Sequence, residues 1–270
     1  MSAVIVTSPR NPHAARLAAL HARKGRKKHD SFLVEGFSIV EDALRSPCRV
    51  KTLVARDDVA GTARARRILK TAGAAGAAVV TVSARVFDGL TTRETPQGIA
   101  AEVAAPPPRA WSETPAAGLG ILMERLGDPR NAGLLFRTAL AAGAGAVFLT
   151  RGSVDPFNPA AVQTSMGAVL FLPIHPDSDP AAVIGHFRRS GGKCFAALPR
   201  GGKRMDRWTP PPPPVLFAFG NEASGVSKEL LKLCDGAVTV PLFGGAESLN
   251  VAVAAGILCC DYMIRRPGAA

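Results

Sequence analysis

Three polar side chains stand where apolar runs of this chain stop. Glu222 follows Phe217-Ala218-Phe219-Gly220-Asn221, and Ser248 and Asn250 follow Val238-Thr239-Val240-Pro241-Leu242. A strand that ends abruptly at small or polar residues delivers backbone and side chains to a ligand at the carboxyl edge of a sheet. Each of the three also reads, taken singly, as a cap or turn residue. Arg137 is a fourth candidate, four residues after Gly133 on one face of an otherwise apolar helix. Glycine there costs about 1 kcal/mol of helix stability relative to alanine, for which room beside the guanidinium would compensate; a structural ion pair is the other reading. The five histidines, His13, His21, His29, His175 and His186, all lie outside these stops. That argues against a Ser-His hydrolase and a histidine general base. Arg, Asn, Glu and Ser around glycine-rich turns suit positioning and electrostatic catalysis instead.

Other chemistries lack their signatures. After the first strand of the C-terminal half, Gly118-Leu119-Gly120 has Met123 where a dinucleotide fingerprint needs its third glycine, and no G-x-x-x-x-G-K-[ST] run occurs. The five cysteines (Cys48, Cys194, Cys234, Cys259, Cys260) form no C-x-x-C pair and no Cys/His ligand spacing, so no metal is expected and the thiols read as reduced. Lys and Arg number 33 against 21 Asp and Glu, a net charge of +12 that favours a polyanion such as nucleic acid as partner. The start lacks the features of a signal peptide, and the longest apolar run, Val251 to Cys260, is too short to span a bilayer. A cytoplasmic protein without a membrane partner is expected.

Alternating strand and helix patterns place these residues. In the first 105 residues, Arg10 to Leu20 reads as a helix, 32–36, 50–55 and 79–82 as strands, Ser38 to Leu44 and Ala60 to Ala72 as helices, and 91–103 as a turn feeding a last strand, together a small layered α/β sheet. Between the first helix and strand, His21 to His29 carries Arg23, Lys24, Arg26, Lys27 and Lys28 around Gly25. This reads as a loop, either a solvated face or a phosphate-contacting RNA grip. The stiff stretch from Ala104 to Trp111, with three successive prolines, marks a domain boundary. A second domain, 117–270, then alternates strands at 120–126, 146–150, 169–174, 194–198, 215–219 and 238–242 with helices at 129–142, 158–167, 181–190, 227–233 and 248–264. Asp128 caps the first of these helices with Pro129 at its first position. The pattern predicts a mostly parallel sheet with helices on both faces.

Three segments carry a family resemblance. Asp128-Pro-Arg-Asn-Ala-Gly-Leu-Leu-Phe-Arg-Thr138, Phe219-Gly-Asn-Glu-Ala-Ser-Gly225 and Val240-Pro-Leu-Phe-Gly-Gly-Ala-Glu-Ser-Leu-Asn-Val-Ala-Val-Ala255 resemble, in order, the three motifs of the SpoU (TrmH-type) RNA ribose 2′-O-methyltransferases of the SPOUT superfamily. Gln163-Thr-Ser-Met-Gly-Ala168 fits the small-residue segment between the first two, while Ala223 and Ala252 depart from the common glycine and serine. More loosely, Phe32-Leu-Val-Glu-Gly36 and Thr95-Pro-Gln-Gly-Ile99 resemble the L30e-like substrate-binding domain that often precedes such enzymes.

The resemblance implies a C-terminal trefoil knot, which periodicity alone argues against, and S-adenosylmethionine as cofactor. It implies catalytic roles for Arg137, Asn131, Glu222, Ser248 and Asn250, and cofactor contacts at Leu198, Gly220, Asn221, Val240, Leu242 and Leu249. It further implies a homodimer sharing its RNA site across chains. The two-domain plan, seen also in thiostrepton-resistance enzymes, favours 23S ribosomal RNA over transfer RNA as substrate. A base-nitrogen methyltransferase and a non-catalytic RNA-binding protein of the same fold are the competing readings.

Overall fold

The computed structural model describes residues 5–106, 116 and 118–268. Of the described residues, those within Met1–Pro107 together with Phe157–Phe171 form one compact unit, and those within Pro108–Pro156 and Leu172–Ala270 form the other. The stretch 157–171, expected to continue the second domain, therefore packs with the first. The Pro-rich connector lies outside the described residues beyond Pro106.

In the first unit, β1 (Ile5–Val6), β2 (Ser31–Glu35), β3 (Val50–Arg56), β4 (Ala78–Val82) and β5 (Ile99–Ala104) form a mixed sheet in the order β1-β4-β3-β5-β2. Six helices accompany them: α1 (Pro12–Ala19), α2 (Arg23–His29), α3 (Phe37–Arg45), α4 (Asp57–Ala60), α5 (Ala63–Ala74) and α6 (Ala84–Asp88). Leu17, Leu20, Leu33, Val54, Val86, Phe87 and Leu90 fill one core. The stretch 157–171 adds α8 (Pro159–Thr164), capped by Asn158, and stacks Phe157 on Phe32 with ring centroids 4.6 Å apart.

The basic run is a helix, not the loop its Gly25 suggests. A Cβ on Gly25 would sit 1.9 Å from the Ala19 carbonyl oxygen, so α2 returns onto α1 at a distance only glycine permits. Arg26 is a second correction. It is only 6% exposed and donates from Nη1 to the Leu20 and His21 carbonyls at 2.8 and 2.7 Å. Its charge is used to satisfy backbone at the end of α1.

The second unit holds seven strands, β6 (Leu119–Met123), β7 (Ala144–Thr150), β8 (Ile174–Ser178), β9 (Lys193–Ala197), β10 (Lys203–Arg204), β11 (Val215–Phe219) and β12 (Gly236–Thr239). All pair in parallel, in the order β10-β12-β9-β11-β6-β7-β8. From β6 the chain first winds outward through β7 and β8, then crosses to the other side of the sheet. That reversal makes a topological switch point, with its crevice at the strands' carboxyl ends. Leu216 and Ala218 of β11 face a core shared with α9 (Pro180–Arg189) and α10 (Lys228–Leu233), while Phe217 meets Tyr262 of α11 (Val251–Arg265), so helices cover both faces. β8 starts five residues later than expected: Ala168–Leu170 form a 3₁₀ turn, and Pro173, which has no N–H to give the ladder, sits just ahead of the strand. α7 (Pro129–Ala141), capped by Asp128, packs on α11 where a Cβ on Gly256 would come within 2.9 Å of Thr138 Cγ2.

Arg26→Ala should lower unfolding free energy by about 2 kcal/mol, since two acceptors lose a charged donor. Urea unfolding of the full chain measures this, and a neutral result would return Arg26 to the RNA surface.

Candidate functional site

The carboxyl ends of β9, β11 and β12 open into a pocket of about 360 Å³. Its lining includes four of the five residues assigned catalytic roles, Asn131, Glu222, Ser248 and Asn250, and all six assigned to the cofactor, Leu198, Gly220, Asn221, Val240, Leu242 and Leu249. Arg137 is not among them. It lies on the exposed side of α7, while Gly133, one turn earlier, is buried. No hydrogen bond or ion pair engages its guanidinium among the described residues.

Each wall follows from local sequence. After β11 the chain turns tightly: Asn221 and Gly225 exchange backbone hydrogen bonds of 3.1 and 2.9 Å. A Cβ on Gly220 would fall 2.0 Å from the Gly225 carbonyl carbon, so only glycine closes this turn. Asn221 Oδ1 accepts from the Ala223 and Ser224 amides, and its Nδ2 donates to the Arg125 carbonyl at 2.8 Å. After β12 the chain leaves the sheet, and Val240 and Leu242 form apolar wall, although the sequence extends the strand through them. Asn250 caps α11, its Oδ1 accepting from Ala252 N at 2.9 Å and Val253 N at 3.4 Å.

The residues that cap and turn the chain also bond one another across the pocket. Asn250 Nδ2 donates to Asn131 Oδ1 at 2.8 Å, and Asn131 Nδ2 donates to Glu222 Oε1 at 3.1 Å. Glu222 also accepts from the backbone amides of Gly127 and Asp128 at 3.2 and 3.3 Å, just ahead of α7. Partial burial pushes the Glu222 carboxyl up, but hydrogen bonds from its own backbone N–H, the Asn131 amide, Gly127 and Asp128 together outweigh it and hold the group below the usual carboxylate range. Among the described residues Glu222 is the single ionisable side chain in the lining, which contains no Lys, Arg or His. The site therefore presents one carboxylate, three side-chain amides and the Ser248 hydroxyl against apolar walls.

Sequence reasoning missed Ala197, Pro199, Phe219, Val226, Ala254 and Leu258, which also line the pocket. Their apolar side chains carry no chemical signal; their positions at strand ends and one turn into α11 are the only clue. Glu124 was missed too: 8% exposed at the end of β6, it accepts from Ser227 N at 2.8 Å and so anchors the start of α10. Of the basic run, Arg23, Lys24, Lys27 and Lys28 are exposed on α2, whereas Arg26 is not. Among the described residues no cluster of His, Cys, Asp and Glu could hold a metal ion, and no helix is long and apolar enough to cross a membrane.

A carbon-13 titration of the Glu222 carboxyl should give a midpoint below that of an ordinary glutamate, and Asn131→Ala should raise it. The sign follows from the depressed value: the stabilisation is present at neutral pH and is lost as pH falls through the folded midpoint. Acid should accordingly loosen the 220–225 turn, read as faster exchange of the Asn221 and Gly225 amides.

Comparison with known proteins agrees with this geometry. Residues 118–260 match the model of the SpoU rRNA Methylase family, and residues 11–101 match an MRM3-like substrate binding domain. The chain is 34% identical over 253 residues to the 23S rRNA (guanosine(2553)-2′-O)-methyltransferase RlmP of Bacillus subtilis, covering 94% of this chain and 96% of that protein. An AdoMet-bound rRNA methyltransferase from Sinorhizobium meliloti superposes with a TM-score of 0.86 at 28% identity, covering 97% of each chain. The SpoU methyltransferase AviRb from Streptomyces viridochromogenes, in complex with AdoMet, gives 0.81 at 26% identity over 94% of this chain and 97% of its own. With three motif segments meeting in one pocket and the family model matching more than half of its length, the chain belongs to the SpoU rRNA methylase family.

Proposed function

We propose that this protein transfers a methyl group from S-adenosylmethionine to a ribose 2′-hydroxyl of RNA, in 23S ribosomal RNA rather than transfer RNA, in the cytoplasm. The observation that carries this reading is the convergence of Asn131, Glu222, Ser248 and Asn250 with the six expected cofactor contacts in one pocket. The Bacillus subtilis relative, named for a 23S rRNA 2′-O-methyl transfer, supports the choice of RNA.

The residues present fit the cofactor. A volume of about 360 Å³ lies within the range of small-molecule clefts. Leu198, Val240, Leu242 and Leu249 offer apolar surface to a purine, and the lone carboxylate, with no opposing cation in the lining, suits a sulfonium. A trefoil knot would hold the loops after β9, β11 and β12 around such a ligand. The bound cofactor supplies a methyl group on positive sulfur, which needs no further activation. The chain's task is to align the hydroxyl and ease loss of its proton. Ser248, whose hydroxyl makes no hydrogen bond among the described residues, and the Asn131–Glu222 pair orient the groups around it. Arg137 keeps its proton under nearly all conditions, so it grips the neighbouring phosphate and stabilises developing alkoxide charge rather than acting as base.

Because Arg137 is exposed and is not among the residues that line the pocket, it is assigned to the site of a second copy. α7 and α11 support a homodimer through apolar side chains left exposed beside it: Leu134 and Leu140 on the first, Val253 and Ile257 on the second. Residues 1–105 act as the RNA grip, through Arg23, Lys24, Lys27 and Lys28, and 117–270 as the transferase.

Arg137→Ala should lower kcat by roughly 10²–10³-fold, the loss expected for one charge-stabilising donor, with cofactor affinity little changed. Mixing Arg137→Ala with Asn250→Ala protein should restore at most about a quarter of wild-type activity, because a two-fold heterodimer then has one intact site. No recovery on mixing would place Arg137 in its own chain's site. Nucleoside mass spectrometry of the modified RNA tests the ribose assignment, and a methylated base would refute it. Replacing Arg23, Lys24, Lys27 and Lys28 together by alanine should flatten the log–log salt dependence of RNA affinity by about 0.7 for each lost phosphate contact. An unaltered slope would remove α2 from the RNA surface.

A further inference from the structure

A second pocket, of about 200 Å³, lies wholly within the first unit. It is reached by His21, in the turn between α1 and α2, and by Arg93 and Gln97, in the segment leading to β5. Both ring nitrogens of His21 and the Nε of Arg93 are buried there without a hydrogen-bond partner among the described residues. Orphaned buried polar atoms are costly, and so many at one pocket point to a ligand that pairs them.

The rest of the lining states what kind. Glu35 and Asp42 line the same pocket: both Glu35 oxygens are engaged, accepting from Thr91, Thr92 N and Thr92 Oγ1, and Asp42 Oδ1 accepts from Arg45 at 2.8 Å. Two carboxylates oppose a bound anion, so a phosphate does not suit the site. Gln97 Oε1 accepts from Phe37 N at 2.9 Å, which leaves its amide nitrogen to donate. Gly36, at φ +106°, keeps this edge open, since a Cβ there would lie 2.9 Å from Gln97 Oε1 and 3.2 Å from Arg93 Nη1. Leu33, Ile39 and Val162 supply apolar surface beside it. Donors and a two-way imidazole at one edge, apolar walls beside it and room for a single ring system match an unstacked nucleobase. RNA sequence is read mainly through such splayed bases.

The geometry points to a base-reading pocket: His21, Arg93 and Gln97 hydrogen-bond the edge of one unstacked nucleobase of the RNA substrate, held against Leu33, Ile39 and Val162. The assignment rests on the RNA reading above and adds to it where the RNA's sequence is recognised. Exposed cations of α2 begin two residues after His21, so backbone contacts and base contacts fall in one neighbourhood, the first positioning the strand and the second specifying it.

The test uses the full-length protein with S-adenosylhomocysteine saturating the other pocket. Each of the four ribonucleoside 5′-monophosphates is titrated while the nitrogen-15 signals of the histidine rings are followed, those of His21 being identified by their loss in His21→Ala. At least one monophosphate should move the His21 signals saturably, ribose 5-phosphate should not, and Arg93→Gln should weaken that binding roughly ten-fold. In methylation of a ribosomal RNA fragment, Arg93→Gln should raise KM for RNA roughly ten-fold with kcat held, and narrow the preference among base-substituted fragments. His21 signals unmoved by all four monophosphates, or moved equally by ribose 5-phosphate, would overturn the pocket and leave the transferase reading intact. A chain that passes the titration yet methylates no RNA would do the reverse.

Discussion

One run of hydrogen bonds, from Asn250 through Asn131 to Glu222 and on to the amides of Gly127 and Asp128, ties together three segments whose bonded residues lie about 90 and 30 residues apart in sequence. Each member works twice. Asn250 caps α11 with its oxygen and reaches Asn131 with its nitrogen; Asn131 accepts from one partner and donates to the next. The start of α11, the start of α7 and the turn after β11 are thereby held in one relative position. A group of this kind is cooperative, because removing any member leaves its neighbours' donors or acceptors unpaired. The pocket lined by Asn131, Glu222 and Asn250 is the space these three segments enclose.

Charge is divided between two places. The chain carries a net +12, yet the pocket's single ionisable side chain is a carboxylate held ionised by backbone amides near the N-terminus of α7. Exposed lysines and arginines of α2 offer the opposite sign to a polyanion. Under the proposed function, a lone carboxylate suits a sulfonium and the cations of α2 suit a polyanion, so each ligand would meet the opposite charge.

Two glycines set the close approaches on which both regions depend. Gly220 allows the turn after β11 to fold onto Gly225, and Gly25 allows α2 to lie against α1. In sequence the two look alike, as interruptions. In the structure neither is a point of freedom: each marks a place where backbone meets backbone too closely for a side chain.

Much of the C-terminal unit was legible from the chain alone, because its signals are local. β11 runs from Val215 to Phe219 as its apolar run indicates, Asp128 and Pro129 start α7, and Ser227 caps α10. The three polar stops were enough to single out Glu222, Ser248 and Asn250 as site candidates, whereas Asn131 entered only through the family resemblance of its segment. What sequence could not supply depends on which surfaces meet. Arg26 carries the same charge as its neighbours on α2 but is buried by the carbonyls at the end of α1. Phe157–Phe171 lie in sequence among the second unit's elements and pack with the first. β8 slides past Pro173 because ladder hydrogen bonds, and not hydropathy, decide where pairing begins. Arg137 shares a helix with Asn131 yet emerges on a different face, six residues on, where rotation of the helix carries it out of the pocket. Residue type and spacing thus determined which groups could do the chemistry. Only tertiary packing decided which of them share a pocket, because burial and hydrogen-bond partners depend on segments that the chain's order does not bring together.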